Sequence, residues 1–304
     1  MNVAFAALSF RSIRGHRRTD VGVELILRLT AVELLLRPMG PWGVRPLILA
    51  AAGLALLLPR TLSSSVTWFV LTTLVTARII ADWPLPDNHI YLLTYWCLAL
   101  ALSLGASDPA RTLATSARLL IGTAFLMAVI WKALLSPDYL DGRFFRVTWL
   151  TDARFTDAVQ LLGRMSAAQL TDNRENLAPL PEGAEPLYHS PPPDPPAFRY
   201  LVLMSTWGML ALEALVAFAF LFPRGARAGP LHHVSLLLFC GVTYAIAPVA
   251  GFGWLLLTMG VALCRADQRA LRATYVVTWF LVLFYSEIPW ANVMVSWLST
   301  RPGA

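Results

Sequence analysis

One residue type occurs a single time in this chain. Lysine and arginine together number 24, 23 of them arginine, and the one lysine, Lys132, sits in the apolar run FLMAVIWKALL, four residues before Ser136-Pro137. The two cations differ chemically. A guanidinium stays protonated in any protein environment, whereas burial lowers the pKa of a lysine until it can shed its proton. A neutral amine in a dry pocket is a usable base. The plain alternative is a snorkelling side chain. Lys132 stands near the end of its apolar run beside Trp131, within reach of lipid headgroups or Asp138.

A second polar group opens another apolar run. WPLPDNHIYLLTYW, residues 83–96, carries Asp87, Asn88 and His89 where a helix should begin. Asp87 or Asn88 suits ordinary helix capping. His89 is costlier to keep near a membrane unless it has a partner. Arg78, Glu213 and Glu287 also lie within apolar runs, where an ionisable residue marks either function or an interhelical ion pair, such as Arg78 with Glu287. His232 and His233 are adjacent, so on a helix they point in different directions; headgroup contact is expected rather than a shared metal. Cys97, Cys240 and Cys264 show no metal-ligand spacing and read as small core residues.

The elements that must hold these groups are membrane helices. The chain is 57% hydrophobic and 14% charged, with mean hydropathy +0.60. A soluble domain carries roughly a quarter charged residues. The reading is an all-α polytopic membrane helix bundle of about nine transmembrane or re-entrant helices with one extracytoplasmic insertion. The candidate segments are roughly 20–38, 45–59, 63–82, 90–106, 112–135, 199–222, 231–247, 250–264 and 272–297. The first contains Glu24, Arg28, Glu33 and Arg37, two acid–arginine pairs at i,i+4 spacing, and the two pairs lie on opposite helix faces.

Arginine placement orients the bundle. A cytoplasmic N-terminus with nine crossings puts Arg60, Arg111, Arg224, Arg227, Arg265 and Arg269 inside, against the exceptions Arg37 and Arg45. His89 and Lys132 then share the outer half with Asn88, Asp87, Arg78 and Glu287. The divisions are a basic cytoplasmic N-terminus (1–19), a first membrane half (20–135), an extracytoplasmic loop (136–198) and a second membrane half (199–298). The loop is aromatic and charged through Met165, and should be folded; its proline-rich second half should be extended or disordered. The N-terminus does not read as a signal peptide, because its apolar run precedes its arginines. The net charge of +6 is an orientation signal, so no nucleic-acid partner is expected.

DNHIYLLTYW, followed about thirty-five residues later by LLIGTAFLMAVIWKALLSPDYLDGRFF, resembles the membrane domain of the vitamin K-dependent gamma-carboxylases, also called the horizontally transferred transmembrane domain. ALEALVAFAFLFPRGARAGPLHHVSLLLFC is similar to that family's later helix pair. The resemblance spans about residues 20–265 and is strongest over 87–145. It implies that Lys132 is the base that deprotonates a vitamin K- or menaquinol-type reduced quinone. O2 then oxidises the quinol to an epoxide, and CO2 traps a carbanion on a glutamate. His89, preceded by Asn88, would bond the quinone oxygens or the lysine; Asp87, Arg78 and Glu287 complete the candidate substrate-binding set. No metal is implied, and the partners are the bilayer, the quinone and a peptide or small-molecule acceptor. The implied location is the inner (plasma) membrane.

Two departures bear on the acceptor. The carboxylases carry a large soluble domain after the membrane part, which this sequence lacks through residue 304. A family histidine also corresponds here to Phe239-Cys240-Gly241. Quinol chemistry stays open without glutamate carboxylation. The competing class is a non-enzymatic membrane protein, either a transporter or a subunit of complex assembly, in which the polar groups form a solute or proton path.

Overall fold

The computed structural model describes residues 21–37, 40–84, 88–177, 195–222, 228–246, 250–287 and 297. Every regular element among them is helical. The order is α1 (Val21–Leu36), α2 (Arg45–Leu57), α3 (Pro59–Leu62), α4 (Ser65–Ala81), α5 (Asn88–Leu104), α6 (Pro109–Ile130), α7 (Pro137–Leu140), α8 (Arg143–Thr151), α9 (Thr156–Gly163), α10 (Ala167–Leu177), α11 (Pro196–Leu221), α12 (Ala228–Ile246), α13 (Ala250–Ala262) and α14 (Arg269–Glu287). A π turn, Trp131–Leu135, extends α6, and a 3-10 turn, Ala153–Phe155, precedes α9.

Nine of these helices coincide with the nine apolar segments: α1, α2, α4, α5, α6 with its π turn, α11, α12, α13 and α14. Two are long and apolar enough to cross a membrane, Pro109–Leu135 and Pro196–Leu221. Only 28% of the residues in the most apolar stretch of each are buried within the protein. Leu119, Met127, Trp131, Leu203, Met204, Trp207, Leu215 and Phe218 therefore face outward on these two helices. An outward apolar surface of this kind marks contact with a membrane or with another protein.

Local sequence sets the limits of α6. Asp108 caps its start, accepting the Arg111 backbone N–H at 3.1 Å, and Pro109 fills the first turn, where no N–H is needed. At the other end Pro137 disfavours helical backbone at Ser136, which adopts φ −128° and ψ 81°. The five residues before it, Trp131 to Leu135, widen into the π turn that carries Lys132.

Helix α6 packs most extensively on α11, and the two run antiparallel. Their approach is close because residue 122 is glycine: a Cβ there would lie 2.6 Å from Leu221 Cδ2. The wide core behind them includes the fully buried Trp68, Trp96, Phe220, Tyr275 and Trp279. Trp96 spends its Nε1–H on Thr30 Oγ1, 3.0 Å away, so α5 is bonded to α1 inside that core.

Helix ends sort into two groups. The start of α1, the start of α6, the end of α13 and the start of α14 meet around one cavity. At the opposite ends, Arg37 reaches Gly251, Arg78 lies against Gly40, and His89 stacks on Phe252. The described helix ends thus gather in two places. The i,i+4 pairs of α1 do occupy opposite faces: Glu24 and Arg28 form a 2.7 Å ion pair with both side chains exposed, whereas Glu33 is buried.

The first half of the insertion is folded, as expected, and the folding runs past Met165 through α10. Trp149, Leu150, Phe155, Val159, Met165 and Leu170 form a second core, closed by Phe198 and Val202 from the start of α11. Trp149 Nε1 donates to Ser205 Oγ at 3.2 Å, and Arg174 holds the Leu150 carbonyl and Thr156 Oγ1. The proline-rich half, 178–194, lies outside the described residues.

Candidate functional site

The π turn places Lys132 against the middle of α11. Its Nζ lies 2.5 Å from Glu213 Oε1. The Glu213 side chain is 9% exposed and that of Lys132 23%, so the ammonium is withdrawn into the protein rather than extended among headgroups. Its partner is Glu213 and not Asp138, and the contact supplies the interhelical ion pair that the sequence had suggested between other residues. A pair so close to burial survives only with good geometry, because each charge alone would be strongly penalised.

Tyr139, from α7, covers the pair. Lys132 Nζ stands 5.0 Å from the centre of its ring, a cation–π distance. Tyr139 is itself buried and is braced by Phe144 and Phe145, with ring centres 5.5 and 5.6 Å away. Gly142 makes this cover possible. Its φ of +84° belongs to the left-handed region, and a Cβ would lie 3.0 Å from Val202 Cγ1 and 3.6 Å from Thr206 Oγ1. The turn between α7 and α8 thereby seats on α11 two helical turns, about 10 Å, before Glu213.

Hydrogen-bonding capacity is left over at the centre. Glu213 Oε2 and the Tyr139 hydroxyl are both buried and have no partner among the described residues. Lys132 has three N–H groups, and its hydrogen bond goes to Glu213. Burial raises the Tyr139 pKa far above the ordinary phenol value, and the negative charge of Glu213 adds to the effect. The phenol is therefore a donor at neutral pH. One buried acceptor and one buried donor are left here without a partner among the described residues, a condition that buried polar groups rarely tolerate without a ligand or water.

The other sequence candidates are distributed differently. His89 stacks on Phe252 at 4.5 Å, and Phe252 is 6.1 Å from Phe125 of α6. Phe239 packs edge-on to Phe125 at 4.6 Å. An aromatic row thus runs from His89 to α6, but Lys132 bonds Glu213 and not the imidazole. Asn88 is the exposed first residue of α5. Arg78 pairs with Asp82 of its own helix at 2.9 Å. Asp87 and the side chain of Glu287 lie outside the described residues. His233 Nδ1 meets Tyr275 Oη at 2.9 Å and His232 packs on Phe220. Both histidines are buried, which replaces the expected headgroup contact.

Sequence reading missed Glu213 as the partner of Lys132 and Tyr139 altogether. Glu213 was visible as a lone acid in an apolar run. Tyr139 gave no signal, because a tyrosine in an aromatic, charged stretch is ordinary. No family model, no curated protein and no solved structure matches this chain.

Proposed function

We propose that this protein is an integral-membrane enzyme that deprotonates a reduced quinone at Lys132 and Glu213 for O2-dependent epoxidation. The observation that carries the reading is the unspent bonding capacity at the ion pair. A quinol hydroxyl both donates and accepts. It satisfies Glu213 Oε2 with its proton, and its oxygen accepts from the Lys132 ammonium or the Tyr139 hydroxyl. The apolar surroundings and the aromatic row toward His89 suit a flat, greasy ring.

Within this reading the chain's own task is proton transfer. The Lys132–Glu213 pair is neutral overall as an ion pair, and it gains one proton when the bound hydroxyl loses one. The ammonium stays beside the oxygen that has become negative, and the low-dielectric site strengthens that attraction. Tyr139 donates to the same oxygen. A bound quinol supplies the redox chemistry, giving epoxide and water with one O2. His89, Asn88, Asp87, Arg78 and Glu287 belong to the outer part of the site in this proposal, and CO2 and an acceptor glutamate belong to its carboxylase-like form.

The same proposal has nine helices crossing the inner membrane with a cytoplasmic N-terminus and the 136–198 insertion outside. Outward apolar surface on α6 and α11 and the gathering of helix ends in two places support it.

The test is purified protein in lipid, supplied with menaquinol or vitamin K hydroquinone and O2, with quinone epoxide followed by chromatography. Wild type forms epoxide, and Glu213→Gln, which keeps a hydrogen-bonding side chain but cannot take the proton, loses at least about 100-fold of the rate. Equal rates in the two proteins, or no epoxide with either quinol, would leave the transporter or assembly reading in its place.

A further inference from the structure

At the arginine-rich end of the bundle, well away from Lys132, a cavity of about 260 Å³ opens between α1, α6, α13 and α14. Three arginines line it: Arg111 from the first turn of α6, Arg265 from the turn after α13, and Arg272 from the first turns of α14. The rest of the wall is apolar, with Val23, Ile26, Val261 and Leu263 among its residues. Arg272 is the informative member. One of its terminal nitrogens donates to the Arg265 carbonyl at 3.2 Å, but its Nε is buried without a hydrogen-bond partner among the described residues. A guanidinium N–H left unpaired beside a cavity points to an acceptor from outside the protein.

Three guanidiniums line the cavity against two nearby described acids, Asp267, paired with Arg265 at 3.2 Å on the exposed rim, and Asp108, which accepts the Arg111 backbone N–H, so the charge left over is positive. The space is too small for a drug-sized molecule and large enough for a phosphate with a few carbons attached. A phosphate offers oxygens in the fork geometry that guanidinium groups bind best.

We infer that this cavity binds a phosphate group, with the glycerol carbons of an anionic phospholipid against the apolar wall. Basic pockets between helices at the cytoplasmic end of membrane proteins take headgroups in this way. A free phosphate ester shares the chemistry, so the test must separate the two sources.

The experiment measures thermal stability and native mass of the full chain in nanodiscs of phosphatidylcholine alone, of phosphatidylcholine with phosphatidylglycerol, and of phosphatidylcholine with added glycerol 3-phosphate. Phosphatidylglycerol is expected to raise the melting temperature by several degrees and to leave one bound lipid on the protein. Arg272→Gln abolishes both effects, Arg111→Gln weakens them, and Arg60→Gln, an exposed arginine outside the cavity, leaves them intact. A rise with glycerol 3-phosphate that is lost in Arg272→Gln supports the phosphate site and assigns it to a free ester. Should Arg272→Gln fold poorly, Arg111→Gln against Arg60→Gln makes the same distinction. Equal lipid responses in wild type and in the cavity variants that fold would overturn the inference, as would an equal loss in Arg60→Gln.

Discussion

Lys132 and Glu213 are separated by 81 positions in the chain and by 2.5 Å in space. The pair ties the π turn of α6 to the middle of α11, and neither charge has another charged partner among the described residues. Removing one member strands the other. Lys132→Ala and Glu213→Ala are each expected to destabilise the protein by about 3 kcal/mol, whereas Lys132→Met combined with Glu213→Leu recovers most of that loss. Melting curves in detergent for the three variants check this. Additive losses in the double variant would mean the two side chains do not depend on each other.

Tyr139→Phe separates structure from chemistry. The hydroxyl has no partner among the described residues, so its removal should change stability by less than about 0.5 kcal/mol. The loss of a donor to bound quinol should slow epoxidation about tenfold. A variant as fast as wild type would remove the phenol from the proposed site.

Gly142→Ala tests the cover over the ion pair. A left-handed φ costs a residue with a Cβ about 1–2 kcal/mol, and the Val202 contact adds to that. Trp149 fluorescence should report an earlier melting of the insertion, while the helical content of the bundle is retained. An unchanged Trp149 transition would show that the turn does not hold the insertion on α11.

Acid should loosen the same turn. The Asp141 carboxyl is held below its ordinary value of 3.8, first by the Arg143 backbone N–H and then by the Arg143 guanidinium. A depressed acid pKa contributes stability that is present above the ordinary value and disappears as pH falls through the lower one. Amide exchange at Gly142 to Arg146, corrected for intrinsic rates, should therefore accelerate below pH 3.8 in wild type and not in Asp141→Asn. The same acid response in both proteins would show that another group is responsible.

Gly122→Leu links packing to the site. Leu221 and Phe220 already occupy the space a side chain would need, so α6 must move away from α11. The expected outcome is retained helicity with loss of quinol turnover, because Lys132 and Glu213 no longer meet. Full activity in this variant would show that the helix pair tolerates the displacement.

Much of the helical layout was legible in the chain, because an apolar run of sufficient length has few other fates. Lys132 stood out by its uniqueness. Its partner did not, since a pairing between α6 and α11 depends on the rotation and depth of two helices, and neither follows from hydropathy. The π turn was equally silent: it arises where an ordinary helical run must stop before Pro137. His232 and His233 were read as contacts with lipid because both lie near an apolar run's end. Their partners, Phe220 and Tyr275, come from other helices.

The insertion's core is built by two stretches of chain synthesised at different times. Trp149, Phe155 and Val159 emerge from the ribosome well before Phe198 and Val202, the residues that close over them. Until α11 has been made, those aromatic groups have no lid. A nascent chain halted near residue 195 would present a sticky, half-built surface to chaperones and proteases, and quality control of this protein should be most demanding at that stage of translation.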